Sequence, residues 1–414
     1  MKRLFIYVLL FFAIGLQASE PLRIGVISDT HYLSEQLMDD GYAMQNYVFN
    51  SGKNIAAVPE VLDMVLEEYL NSDIEILLIS GDITKDGEKQ SHIDFCNKLK
   101  PLREKGIRIL VIPGNHDINM PKPVAFKGNK EISVPNISAK EFSEIYSDFG
   151  YKAALEKDTA SLSYLAELDA DTWLLTIDAA RYKEYGTNSI SAGRISPETE
   201  QWIVKILDKA KAKNKQVIGM MHWGLTEHIM YQDSFFKYYL VEDWVRLANL
   251  LADKGMKAIF TGHFHSNDIS AFTSQKGNVI YDVETGTLSA YPFSYRYVTL
   301  DNLGMKINTK HVTSTPNNPN LAEEDRKRML ALSEKLAKGK LKGMGYNLSD
   351  SVLNDMANVL SQIFILHVYG DEKPDKGLKD AIQKLSTQLD SPIDLTDLEL
   401  DFPPADNNVE IRFK

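Results

Sequence analysis

Five blocks of metal-type side chains follow one another along the first 265 residues, each placed just after a short run of aliphatic and β-branched residues. They are Asp29-Thr30-His31, Gly81-Asp82, Gly114-Asn115-His116-Asp117, His222 and Gly262-His263-Phe264-His265. The pattern constrains the fold strongly, because it asks for several buried strands whose ends meet at one place. Asp, Asn and His gathered repeatedly on strand-end loops are what a site for hard-to-borderline metal ions needs.

Between and around these blocks, strand and helix patterns alternate. Leu22 to Ser28, Ile74 to Ser80, Arg108 to Ile112, Trp173 to Ile177, Gln216 to Met221 and Ala258 to Phe260 read as strands. Val58 to Leu70 carries apolar residues at helical spacing, and Gln90 to Lys105 is a helix stopped by Gly106. A third helix starts at Pro197 and runs to about Ala212. Val279 to Val283, Tyr297 to Leu300 and Met305 to Thr309 read as a meander, so the expected class is α/β with mixed sheets. Three long loops leave directly from the blocks and carry many aromatics: Tyr32 to Val58, Ile118 to about Leu168, and Gly224 to about Trp244. After Val312 a polar Pro- and Asn-rich linker precedes three helical stretches, about Leu321 to Lys338, Ser349 to Tyr369 and Lys376 to Leu389. The middle one has a broad apolar face (Val352, Leu353, Met356, Val359, Leu360, Ile363, Phe364) that needs a partner surface.

Lys2 and Arg3, the apolar run from Leu4 to Leu16 and Ala18 have the form of a secretory signal peptide cut after Ala18, so the mature chain is expected to be exported, periplasmic or secreted. No later stretch is apolar enough to cross a membrane. The net charge of −11 argues against wrapping a nucleic-acid backbone, which needs a basic face. Cys96 is the only cysteine, so no intramolecular disulfide forms, and its spacing with Ile93 and Leu99 places it on an apolar helix face.

The chemistry follows from the blocks. Asp29 and His31 alternate along one loop, so both can reach one ion while Thr30 points away. Asp82 has two oxygens and can bridge two ions; Asn115 offers an amide oxygen; His222, His263 and His265 offer imidazole nitrogens. Seven ligands suit two ions roughly 3.5–4 Å apart. Together the blocks resemble the calcineurin-like metallophosphoesterase family, whose blocks read Asp-x-His, Gly-Asp, Gly-Asn-His-Asp/Glu, His and Gly-His-x-His, over roughly residues 22 to 310. The resemblance implies a four-layer α-β-β-α sandwich with a dinuclear metal centre. It implies that Asp29, His31, Asp82 and His265 hold one ion, that Asp82, Asn115, His222 and His263 hold the other, and that His116 faces the substrate phosphoryl group. The cofactors would be two divalent or trivalent ions (Mn, Fe, Zn or Mg) and the partner a small phosphorylated substrate. The domains would then be a signal peptide over 1–18, a metallophosphoesterase domain over 19–312 and a small C-terminal helical region over 313–414.

The expected reaction is hydrolysis of a phosphoric ester by a metal-bridging hydroxide, with His116 protonating the leaving group and Asp117 a candidate to orient its ring. Both a phosphodiesterase (on a cyclic nucleotide or a phospholipid head group) and a phosphomonoesterase or nucleotidase fit, and an inactive binder of phosphorylated ligands is the rival outside catalysis. The second block departs from the protein Ser/Thr phosphatase pattern: Lys85 stands where an Asp would support the catalytic His, and Asp86 where an Arg would grip phosphate. Lys85 also stands where purple acid phosphatases carry a Tyr ligand. Among the remaining polar residues, His92 reads as structural, His228 as a possible substrate contact, Asp178 as a support for a ligand His, and Arg194 and Arg296 as phosphate contacts or surface charges. His311 and His367 carry no functional reading.

Overall fold

A computed structural model describes residues 20–344, 349–387 and 400–413; the expected signal peptide lies outside them. In chain order the strands are β1 (Leu22–Ile27), β2 (Ile76–Ile79), β3 (Arg108–Val111), β4 (Val124–Lys127), β5 (Lys130–Ser133), β6 (Glu156–Lys157), β7 (Tyr164–Glu167) and β8 (Thr172–Ile177), then β9 (Gln216–Met221), β10 (Met256–Thr261), β11 (Asp268–Thr273), β12 (Val279–Glu284), β13 (Ser294–Leu300), β14 (Gly304–His311) and β15 (Asn408–Arg412). The helices are α1 (Tyr42–Ser51), α2 (Val58–Asn71), α3 (Lys89–Glu104), α4 (Ala139–Ile145), α5 (Pro197–Ala212), α6 (Gln232–Phe235), α7 (Trp244–Asp253), α8 (Leu321–Gly343), α9 (Asp350–Tyr369) and α10 (Lys376–Ser386).

Two mixed sheets face each other, one ordered β15-β14-β13-β1-β2-β3 and the other β11-β12-β10-β9-β8-β7-β6. Side chains alternate across each strand, and the packing follows that alternation. On β8, Leu174 joins the core between the sheets, while Trp173 and Leu175 turn outward. Ile218 and Met220 on β9 face in, whereas Val217 and Met221 face out; Phe260 and Ile259 divide in the same way on β10. The outward residues are covered by Ile203, Ile206 and Leu207 of α5 and by Leu247 and Leu251 of α7. On the other sheet α2 and α3 supply Val61, Val65, Phe95 and Leu99. The layers therefore run helix, sheet, sheet, helix, as the family resemblance implied. Neighbouring β1, β2 and β3 are parallel, as are β8, β9, β10 and β12, so their carboxyl ends collect at one rim. Crevices beyond the carboxyl ends of parallel strands are where such sheets bind ligands.

The long loops contain more structure than the sequence suggests. The first folds into α1, the second into the β4–β5 hairpin and α4, and the third into the short helix α6 before α7 begins. The tail also differs from a purely helical region. Its last strand, β15, pairs antiparallel with β14 and extends the first sheet, so the chain leaves at α8 and returns. The apolar face of α9 meets Leu378, Ile382 and Leu385 of α10, while Ile365 and Phe364 pack with Met329 of α8 and with Ala290 and Tyr291 of the main body. Leu360 stays largely exposed. Cys96 is half-buried against the core, its thiol directed at the Ile145 carbonyl. Among the described residues no helix is long and apolar enough to cross a membrane.

Candidate metal centre

All five blocks arrive at the shared rim. Asp29 and His31 follow β1, Asp82 follows β2, Asn115 and His116 follow β3, His222 follows β9, and His263 and His265 follow β10. Their backbones are unusual: Asp29, His31, Asp82, His263 and His265 all have positive φ, between 43° and 74°. A non-glycine residue in that region is uncommon and is kept only where its surroundings over-determine it. The surroundings do so here. Asp29 N donates to Gly81 O at 3.1 Å, His31 N to Asp82 O at 3.0 Å and Gly262 N to His222 O at 2.9 Å, so the loops hold one another. Thr30 Oγ1 donates to Ile83 O, pointing away from the centre. Two glycines permit the approach: a Cβ on Gly114 would lie 2.1 Å from Asp82 Oδ1, and one on Gly262 would lie 2.0 Å from Ser28 Oγ.

The donors form two groups, Asp29 with His31 and His265, and Asp82 with His222 and His263; within each, one ligand atom per residue lies within 4.8 Å of the others. The groups adjoin, with His31 Nε2 3.7 Å from both Asp29 Oδ1 and Asp82 Oδ2, and His222 Nε2 3.3 Å from Asp82 Oδ2. Each carboxylate has one oxygen anchored and one turned inward. Asp29 Oδ2 accepts from His263 N and Ser28 Oγ, and Asp82 Oδ1 accepts from His116 N. His222 lies with Nδ1 2.8 Å from the Ser80 carbonyl, an arrangement that makes Nδ1 the donor and leaves Nε2 free as a ligand. Asp29 Oδ1, Asn115 Oδ1 and His222 Nε2 are buried with no hydrogen-bond partner in the protein. Such orphaned atoms are costly unless an ion or water meets them, so the donor set fits cations. The neighbouring charges also act on the histidines. Burial opposes a charged His222, yet the Asp82 and Asp29 carboxylates push it up to about 9. Burial and the Lys53 ammonium hold His31 well below the usual imidazole range.

His116 stands at the edge, half-exposed, its ring centroid 5.0 Å from that of His31. Its orienting partner is Asp86, whose Oδ1 lies 2.8 Å from His116 Nδ1. Asp117 does something else: its carboxylate accepts from Gly114 N and Thr84 N and fixes the loop. The residue that replaces a phosphate-gripping Arg thus supports the histidine, one position later than the protein phosphatase pattern places its Asp. Lys85 anchors it. The ammonium pairs with Asp86 Oδ2, lies 3.5 Å from Glu88 Oε1 and sits over the Tyr47 ring. Burial opposes ionisation of Asp86, but the hydrogen bond from His116 and the charge of Lys85 hold its carboxyl far below the usual range.

Lys53 carries no motif in the sequence. This residue follows Gly52 in the short link from α1 to α2, is 9% exposed, and places Nζ 3.2 Å from His116 Nε2. Burial lowers its pKa, opposed by Asp82, Asp86 and Asp29. Nothing local marks it out; only the path of the first long loop brings it here. Tyr185 was also missed, and its hydroxyl donates to the Asn115 carbonyl.

The third long loop closes the other side. The Tyr239 ring lies 5.0 Å from the His263 ring, and the Tyr238 carbonyl is 3.2 Å from His263 Nε2. Tyr231, Phe235 and Tyr238 remain exposed, whereas Tyr32 and Phe126 of the other loops are buried core residues. The other polar residues lie away from the rim. His92 is buried between the Asp117 carbonyl and the Tyr146 hydroxyl, and Asp178 secures its own loop through Leu162 N and Tyr182 Oη. Arg296 is fully buried on Thr309 Oγ1 and the Glu284 and Asp406 carbonyls, and Arg194 pairs with Glu184. His228 is sealed against Asp268 and cannot touch a substrate.

A family model described as calcineurin-like phosphoesterase matches residues 22–267. Among curated proteins, the chain is 22% identical over 319 residues to a DNA double-strand break repair protein Mre11 from Sulfurisphaera tokodaii, covering 73% of this chain and 67% of that protein. It is 33% identical over 85 residues to a probable cyclic nucleotide phosphodiesterase from Xenorhabdus bovienii; that match spans 20% of this chain and only 32% of the relative. Among solved structures, a dimetal phosphatase from Danio rerio shares the fold at a TM-score of 0.51 and 12% identity, covering 70% of this chain and 96% of that one.

Proposed function

The chain belongs to the calcineurin-like phosphoesterase family and is therefore a metallophosphoesterase, and from that premise we propose how it works: as a two-metal hydrolase of small phosphoric esters, with the chemistry at the rim of β1, β2, β3, β9 and β10. In this reading Asp29, His31, Asp82 and His265 hold one ion, and Asp82, Asn115, His222 and His263 hold the other. The observation that carries it is the pair of adjoining donor groups with Asp29 Oδ1, Asn115 Oδ1 and His222 Nε2 turned inward without a hydrogen-bond partner in the protein. Two bound ions supply Lewis acidity and an activated water near neutral pH.

The chain's own residues do the rest. Asp86 fixes a proton on His116 Nδ1, so Nε2 is the nitrogen presented to the substrate. As an imidazolium, protonated on both nitrogens, His116 gives its Nε2 proton to the departing alkoxide and is left as the neutral Nδ1–H ring. Lys53, 3.2 Å from the same nitrogen, supplies a point charge for a phosphoryl oxygen where this chain lacks an Arg clamp. The exposed rings of Tyr231, Phe235 and Tyr238 offer an apolar surface for the organic part of the ester.

Turnover of bis-p-nitrophenyl and mono-p-nitrophenyl phosphate with added Mn²⁺ tests the reading. A preference between the two assigns diester or monoester, and hydrolysis of neither contradicts the proposal. We also propose that the mature protein is exported, on the support of Lys2, Arg3, the apolar run and Ala18. Mass spectrometry of protein expressed with its own leader should find a chain beginning at Ser19; an intact Met1 start would contradict this.

A further inference from the structure

A second buried nest of nitrogen and oxygen donors lies behind the rim, where the tail meets the main body. Asp268 opens β11, three residues after His265; His367 lies in the last turn of α9; Glu372 follows the turn at Gly370. They are 0%, 1% and 4% exposed, and one ligand atom from each lies within 4.8 Å of the other two. His367 Nδ1 is 2.6 Å from Glu372 Oε1 and 3.7 Å from Asp268 Oδ2. Asp268 Oδ2, Glu372 Oε2 and His367 Nε2 have no hydrogen-bond partner in the protein, and neither does the neighbouring Glu284 Oε2. Each such atom represents a solvation loss that nothing in the protein restores.

Charge points the same way. The carboxylates of Asp268, Asp282, Glu284, Glu372 and Asp406 are all buried here. Facing them are His228, His367 and the guanidinium of Arg296, whose bonds go to a hydroxyl and two carbonyls rather than to a carboxylate. Five buried carboxylates thus face two imidazoles and one guanidinium, and a buried carboxylate is unfavourable unless it is paired or protonated.

We propose that Asp268, His367 and Glu372 form a third divalent-cation site, separate from the rim, which fastens the end of α9 to the strand leaving the Gly262–His265 loop. One imidazole with two carboxylates and no thiolate suits zinc or manganese; calcium asks for six to eight oxygens. The Glu284 carboxylate, whose Oε2 is orphaned 3.6 Å from His228 Nε2, is a candidate for a further ligand. Because the nest is sealed, its ion has a structural role.

The test counts zinc in the full-length protein by elemental analysis after loading and desalting. With both centres filled, wild type should hold about three equivalents per chain, Glu372→Gln about two, and a protein carrying Asp82→Asn and His222→Ala about one. If the rim does not bind metal, wild type and the double variant each hold about one equivalent and Glu372→Gln none, so the two readings fail separately. Equal zinc in wild type and Glu372→Gln overturns the third site. Should Glu372→Gln not fold, the double variant still decides: zinc should raise its Tm by several degrees, and an unchanged Tm overturns the site.

Discussion

The two nests of donors use the same residue types yet differ in backbone and in access to solvent. At the rim, five of the seven candidate ligands have left-handed φ, and the side chains of His116 and His265 are each 23% exposed. In the inner nest Asp268 sits on a regular strand, His367 on a helix and Glu372 in the segment just past it, none with positive φ, and all are sealed. The strand-end loops aim donors into a space open to solvent, whereas the inner donors come from two parts of the fold, the start of β11 and the end of α9. The roles proposed for them, catalysis at one nest and cohesion at the other, accord with that difference.

Substitutions can break or sharpen the contrast. The largest effect is expected for Asp82→Asn, whose carboxylate belongs to both ion sites in our assignment: steady-state assays should show turnover falling roughly 10³-fold or more, with Tm changing little. His116→Ala should lower kcat roughly 10²–10⁴-fold for an alkyl ester and much less for a nitrophenyl ester, whose leaving group needs little protonation. Equal losses on the two substrates would remove His116 from that role. Asp86→Asn should cost about 10–100-fold in kcat, as loss of an orienting partner does, and should flatten the difference between the esters. Lys53→Met should act mainly on KM, raising it by about tenfold with a smaller change in kcat. On the cohesive side, Ile382→Ala in the packing between α9 and α10 should lower stability by about 2–4 kcal/mol in denaturant titrations while leaving rim chemistry alone. A large drop in kcat there would mean that the tail shapes the catalytic rim directly.

The rim was legible in the sequence because its signal is local and repeated. Asp29, Asp82, Asn115, His222 and His265 each follow an aliphatic strand within a few residues, and strand alternation alone places them at one edge. The layers were readable for the same reason, since β8, β9 and β10 divide their side chains between two cores. What escaped depended on long-range convergence. Lys53 reaches His116 only through the path of α1, and Asp86 takes over the support of His116 from a position one residue beyond the familiar pattern. β15 was hidden behind helices, its pairing with β14 set by a chain that returns after about a hundred residues. His367 and Glu372 carry no motif and become donors only when α9 docks.

The most direct measurement is a manganese titration of the metal-stripped protein, followed by hydrolysis of whichever nitrophenyl ester it turns over. The account predicts no activity without metal, a rise to a plateau as the rim fills, and a flat response for Asp82→Asn. Undiminished hydrolysis by the stripped protein, or the same rise in Asp82→Asn, would contradict it.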